Sequence, residues 1–275
     1  MVGSGNTLGN LATSFTVPSG AVYGRFTILE DATVNNTWIF TENARPTPYA
    51  LQYSFGEKMS SAVLKSLEDV KPTDFEGMDI QAFNKAVCIG DSLTEGIFNY
   101  DNSGVTGYDS IPEMSYPAAL ERITGIDVLN KGASGLTSKE WYTSHQNDDL
   151  SGHQFAIVQF GINDVIRYGQ GWTQDSIDGY TSIINKLKTE NTNIKIFVST
   201  VMPAVSYPPS NYVTYNAGLK SFVESLNDAN VILLDLATYG NTEPTQFNAG
   251  HLSAYGYWRL AKDYANYISW YMHNN

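Results

Sequence analysis

From Lys85 to the C-terminus the chain alternates, five times over, a short run of β-branched and apolar residues with a longer amphipathic stretch. The strand-like runs are Ala86–Ile89, Asp127–Asn130, Phe155–Phe160, Lys195–Val201 and Val231–Leu236. The helix-like stretches between and after them are Tyr116–Ile123, Ser138–Gln146, Gln174–Thr189, Asn211–Asn227 and Ala254–Met272. Parallel strands need a crossover to return the chain, and a helix is the usual one. This order therefore predicts an α/β fold, a mainly parallel sheet with helices on both faces. Ligands of such sheets bind beyond the carboxyl ends of the strands, where the strand order reverses. Polar residues that directly follow a strand are the candidates for chemistry.

Four polar clusters stand out. Val87 to Gly96 reads Val-Cys-Ile-Gly-Asp-Ser-Leu-Thr-Glu-Gly, so an apolar run stops at a Gly-Asp-Ser turn that lifts the Ser92 hydroxyl out of the end of a strand. An acyl-transfer nucleophile needs this presentation, although Asp and Ser also fill ordinary turns and helix N-caps. Gly-Ala-Ser-Gly at 132–135 follows the run that ends in Asn130, and Gly161-Ile162-Asn163-Asp164 follows Phe155–Phe160. Asn248-Ala249-Gly250-His251-Leu252 lies just ahead of the last helix pattern.

Four clusters in this order, over residues 85–272, resemble the SGNH (GDSL) hydrolase family. The resemblance implies a flavodoxin-like three-layer α/β/α sandwich with a parallel five-stranded sheet in the order 2-1-3-4-5. It implies a serine esterase in which Ser92 attacks the carbonyl and His251 takes its proton and later passes it to the leaving alcohol. It also implies an oxyanion hole made of the backbone N–H groups of Ser92 and Gly135 and the Asn163 side-chain amide. The bland readings are that Asn163-Asp164 only caps a helix and that Gly132 and Gly135 only make a tight turn. Asp91 and Asp164 read as turn-bracing acceptors. His145, His153 and His273 read as surface residues.

One position departs from the family. Asn248 stands where SGNH hydrolases carry an aspartate three residues before the histidine. An amide oxygen can accept the Nδ1–H bond but supplies no charge to offset a protonated ring. Three outcomes follow: a Ser–His dyad, a substitute carboxylate such as Glu243, or an impaired site. Asp235 reads as a structural residue at a strand end.

Composition narrows the function classes. Asp and Glu outnumber Lys and Arg by 28 to 16, for a net charge of −12, which disfavours nucleic-acid and anionic-membrane partners. No apolar run approaches the ~18 residues needed to cross a bilayer. The single cysteine, Cys88, excludes an internal disulfide and reads as a buried small apolar residue. Neither metal-ligand spacing nor a phosphate-cradling glycine loop occurs, so no cofactor and no metal is expected. Three insertions after strands, 98–114, 165–172 and 203–210, carry Tyr100, Tyr108, Tyr168, Trp172 and Tyr207. These rings either stack on a sugar or pack the loops. The expected substrate is a short-chain acyl ester, O-acetyl above all, on a carbohydrate. The rivals are a catalytically impaired scaffold that binds glycan and a lysophospholipase or thioesterase.

The first part of the chain has another texture. Thr13–Val17, Val22–Leu29, Thr37–Thr41 and Tyr49–Phe55 read as short strands punctuated by Pro, Gly and Asn, followed by one helix at Ser60–Val70 and a linker from Lys71. Four strands are few for a free-standing sandwich, so residues 1–78 are expected to pack on their neighbour or in a homo-oligomer, or to be a truncated module, with the hydrolase domain at 79–275. Tyr23-Gly24-Arg25-Phe26-Thr27 and Pro46-Thr47-Pro48-Tyr49 resemble accessory β modules of bacteriophage tail proteins and gut-bacterial surface hydrolases. That resemblance implies an extracellular or virion-associated protein, although the N-terminal residues lack the basic and apolar regions of a secretory signal.

Overall fold

A computed structural model describes residues 71–102, 105–169, 171–202, 209–242, 246–248 and 250–275, without the side chains of 100–102, 105–106, 166–168, 209 and 248. The strands and helix expected before Lys71, and Glu243, lie outside the described residues.

Five parallel strands form the sheet: β1 (Lys85–Gly90), β4 (Asp127–Gly132), β5 (Phe155–Gln159), β6 (Lys195–Ser199) and β7 (Val231–Leu234). Their order is β4-β1-β5-β6-β7, which in order of succession is 2-1-3-4-5. The flavodoxin-like reading is therefore correct. β1 and β5 lie inside the sheet and read as continuous apolar runs because both of their faces are covered; β5 is buried at every residue. The last two strands end two residues earlier than the sequence pattern suggests. Chain reversal begins at Thr200 and Asp235, whose polar groups are spent on turns and caps.

Helices sort by the direction in which each crossover runs. α2 (Tyr116–Thr124) carries the chain from β1 outward to β4 and packs on the final helix α8 (Ala254–Asn274). α3 (Ser138–His145) and α5 (Gln174–Glu190) serve crossovers in the opposite direction and pack on each other. α4 (Ile162–Tyr168) packs on α6 (Pro209–Leu226). Right-handed crossovers place the two groups on opposite faces of the sheet, and strand order reverses between β4 and β5, beside β1.

Several features escaped sequence reading. Two antiparallel strands, β2 (Ile97–Asn102) and β3 (Val105–Ser110), pair as a hairpin where an insertion was expected. A one-turn helix α1 (Ser92–Glu95) precedes it, and a second, α7 (Leu236–Tyr239), follows β7. Two-residue strands β8 (Phe247–Asn248) and β9 (His251–Leu252) pair just before α8. Residues 71–78, assigned from sequence to a linker, dock on α8: Asn266 Nδ2 donates to the Thr73 carbonyl at 2.7 Å. A little further on, the Ile80 N–H donates to Ser269 Oγ at 3.2 Å.

Trp172 is a packing residue. Its ring lies 5.2 Å from Tyr215 and 5.6 Å from both Tyr180 and Phe222, so the sugar-stacking alternative does not hold for it. Tyr108 on the hairpin is 67 % exposed; the side chains of Tyr100 and Tyr168, and all of Tyr207, lie outside the described residues. Cys88 is fully buried and burial pushes its thiol up to about 12, which fits the reading of an inert core residue.

Candidate active site

Ser92 is the first residue of α1, two positions past the end of β1. Asp91 closes the turn: its Oδ1 accepts the Leu93 N–H at 3.0 Å, and its carbonyl accepts the N–H groups of Thr94 and Glu95 at 3.0 and 2.9 Å. A side-chain cap followed by i→i−4 bonding turns an extended chain into a helix within one residue, and so aims residue 92 off the end of the sheet. Asp91 is 1 % exposed. Burial pushes its pKa up to about 7, against the Leu93 N–H and with a smaller push from the Asp164 carboxylate. Asp164 is likewise raised by burial, although Ser176 Oγ donates to its Oδ1 at 2.9 Å. Both aspartates are internal acceptors, as the sequence suggests.

The loop after β4 is fastened to α1. Gly90 of β1 is in register with Gly132 of β4 and with Gln159 of β5, so three strand exits lie side by side. The Ala133 N–H donates to the Gly90 carbonyl at 2.9 Å, and the Ser134 N–H donates to Glu95 Oε2 at 2.7 Å. Gly132 is required by space: a Cβ there would collide with the Glu95 nitrogen and stand 2.5 Å from Glu95 Cα and Thr94 C. Gly135 is required by conformation, with φ of +78° and open space where its Cβ would be. One residue on, the Leu136 carbonyl accepts Asn163 Nδ2 at 3.0 Å. That bond orients the Asn163 amide, which is 8 % exposed in the first turn of α4, and uses one of its two N–H groups.

His251 reaches the same rim from β9. Its Nε2 lies 2.9 Å from Ser92 Oγ. Its Nδ1 lies 3.1 Å from Asn99 Oδ1, on β2. Burial lowers the pKa of the ring below its ordinary value, opposed by the negative charge of Glu95. The ring is therefore neutral at neutral pH and able to accept a proton.

The expectations divide accordingly. Ser92 and His251, 159 residues apart, are in hydrogen-bonding contact. The Gly135 loop and Asn163 are tied together beside them. Asn248 pairs with His251 through the backbone of the β8–β9 ladder, and its side chain lies outside the described residues. Among the described side chains, the one found at Nδ1 is Asn99, which sequence reading missed. Nothing local marks it, because it sits in a stretch read as an insertion. Glu95 was also missed, although it belongs to the Gly-Asp-Ser-Leu-Thr-Glu run. Asp235 pairs with Lys220 and caps α7, a structural role as expected. His145 and His153 are half-buried rather than on the surface, with Nδ1 of each at 3.0 and 2.9 Å from the carbonyls of Trp141 and Leu150. Among the described residues, no three His, Cys, Asp or Glu side chains gather in a way that could hold a metal ion.

A model of the GDSL-like lipase/acylhydrolase family matches residues 88–259. The chain belongs to this family. Its members being acylhydrolases, the chain is a carboxylic ester hydrolase of the GDSL type, in agreement with the geometry at Ser92 and His251. No curated protein matches the chain. Among solved structures it is similar to a lipolytic protein of the G-D-S-L family from Desulfitobacterium hafniense DCB-2, at 21 % identity and a TM-score of 0.52, over 67 % of this chain and 99 % of that one. It is similar to a carbohydrate acetylesterase from Sinorhizobium meliloti, at 17 % identity and a TM-score of 0.54, over 67 % and 98 %. An aryl esterase from M. smegmatis aligns at 15 % identity and a TM-score of 0.53, again over 67 % and 98 %. At these identities the likeness concerns the GDSL fold.

Proposed function

We propose that this GDSL hydrolase removes short acyl groups, acetyl above all, from a carbohydrate by a Ser92 acyl-enzyme mechanism. The observation that carries the reading is the 2.9 Å contact between Ser92 Oγ and His251 Nε2 at the carboxyl ends of the sheet. His251 Nε2 takes the hydroxyl proton as Oγ adds to the ester carbonyl. The negative charge that develops on the carbonyl oxygen is met by the Ser92 and Gly135 N–H groups and by the second N–H of Asn163. Each such donor is worth about 3 kcal/mol. Collapse of the tetrahedral intermediate breaks the bond to the alcohol, which leaves with the proton from His251. Water then repeats the sequence on the acyl-enzyme: His251 takes its proton, and the carboxylic acid departs as the proton returns to Ser92 Oγ.

The sugar portion of the reading is supported by the similarity in fold to a carbohydrate acetylesterase. It is supported too by the exposed tyrosine on the hairpin that carries Asn99. Hydrolysis of p-nitrophenyl acetate by the wild type and by Ser92→Ala tests the chemistry. The variant is expected to fall by at least 10³-fold, in line with loss of a nucleophile whose partners act only with it. Equal background rates would leave a glycan-binding scaffold. A chain-length series from acetyl to lauroyl tests the substrate, with activity expected to disappear beyond about butyryl; a preference for lauroyl would favour a lysophospholipase or thioesterase.

A further inference from the structure

His251 needs one ring nitrogen with a lone pair toward Ser92, and the structure shows what selects it. Asn99 Oδ1 is 3.1 Å from Nδ1 and, being a carbonyl oxygen, can only accept. The hydrogen of the neutral ring is thereby placed on Nδ1, and Nε2, 2.9 Å from Ser92 Oγ, is left as the base. Asn99 is itself held in place by α8. The Tyr257 hydroxyl donates to the Ile97 carbonyl at 2.7 Å, and the Phe98 ring packs 5.0 Å from the Tyr257 ring. At the same, open end of the hairpin, the Ile111 N–H donates to the Gly96 carbonyl at 2.9 Å. Tyr257 lies six positions after His251, so the helix that follows β9 braces the strand that carries Asn99.

Resting on the esterase reading above, we propose that Asn99 is the positioning residue of the site. From the β2–β3 hairpin, it holds His251 in the Nδ1–H form and completes a Ser92–His251–Asn99 relay. The arrangement separates two tasks that a single carboxylate would perform. Asn99 orients the ring without charge. The negative charge that acts on His251 comes from Glu95 of α1, whose carboxylate also holds the Ser134 N–H of the neighbouring loop. Among the described residues, the groups acting on His251 are Ser92 and Asn99, which lie at its two ring nitrogens, and Glu95, whose charge reaches it. Glu95 is thus the one carboxylate in that set.

The test is steady-state hydrolysis of p-nitrophenyl acetate across pH for wild type, Ser92→Ala, Asn99→Ala and Asn99→Asp. Removing the acceptor lets the ring turn and change tautomer, so Asn99→Ala is expected to lose about 10²-fold in kcat with KM within about twofold. Asn99→Asp restores the acceptor and adds a negative charge. It is expected to recover kcat to the wild-type level or above, with the acid limb of kcat/KM moved to higher pH. A structural role alone would not move that limb. Wild-type kcat in Asn99→Ala, with Ser92→Ala inactive, would overturn the proposal and leave the esterase reading intact. Wild-type activity in Ser92→Ala would instead remove the esterase reading. Should Asn99→Ala fail to fold, an unshifted acid limb in Asn99→Asp overturns the proposal by itself.

Discussion

Replacing Asp91 by Asn offers a quantitative check on the electrostatics under the nucleophile. The carboxyl is 1 % exposed and burial raises it from 3.8 to about 7. Below pH 3.8 it is neutral in both folded and unfolded chains, and the shift costs nothing. Between 3.8 and about 7 the unfolded chain has released the proton while the folded chain keeps it, so stability falls as pH rises, by up to 1.36 kcal/mol per pH unit. Above about 7 the loss levels off, near ~4 kcal/mol for a shift of this size. Asp91→Asn keeps an oxygen for the Leu93 N–H, now 3.0 Å from Oδ1, and removes the titrating proton. Urea unfolding of both proteins at pH 5 and pH 7 isolates the effect, since other groups titrate in both. The Asn variant should gain about 2 kcal/mol relative to wild type between the two pH values. Asp164, whose charge also presses on Asp91, can absorb part of that gain. A stability difference that is the same at both pH values would mean that Asp91 is ionised throughout, and the argument from burial would fail.

Further tests address the geometry around the serine. Gly132→Ala should cost about 1–3 kcal/mol or more and about 10²-fold in ester hydrolysis, because its Cβ meets the backbone of Thr94 and Glu95 and must push the 133–136 loop off α1. Gly135→Ala meets open space and should cost only the ~1–2 kcal/mol of a left-handed backbone. Thermal melts should therefore rank the two, and equal melting temperatures would contradict the steric argument. The acid limb of kcat/KM should lie below pH 6.5, since burial disfavours the charged His251 ring. Glu95→Gln, which keeps an acceptor for Ser134, should move that limb lower still; a shift upward would show that Glu95 does not act on the ring through its charge.

The α/β class, the five strands and the serine at the end of the first of them were legible locally. Each depends on periodicity within a few residues, and a strand buried on both faces has to be apolar throughout, as β5 is. His251 was legible too, because a polar cluster ahead of a helix start is itself a short-range pattern. The partner of its Nδ1 was not. Asn99 lies 152 residues from His251, in a hairpin whose placement depends on Tyr257 reaching back to Ile97. Likewise, the half-burial of Trp172 among three rings drawn from α5 and α6 was a matter of packing, not of pattern. What the chain alone determined is the set of groups delivered to the sheet edge. Which acceptor faces the imidazole, and which carboxylate acts on it, was decided when loops from distant strands were brought within hydrogen-bonding range, an event that no local preference encodes.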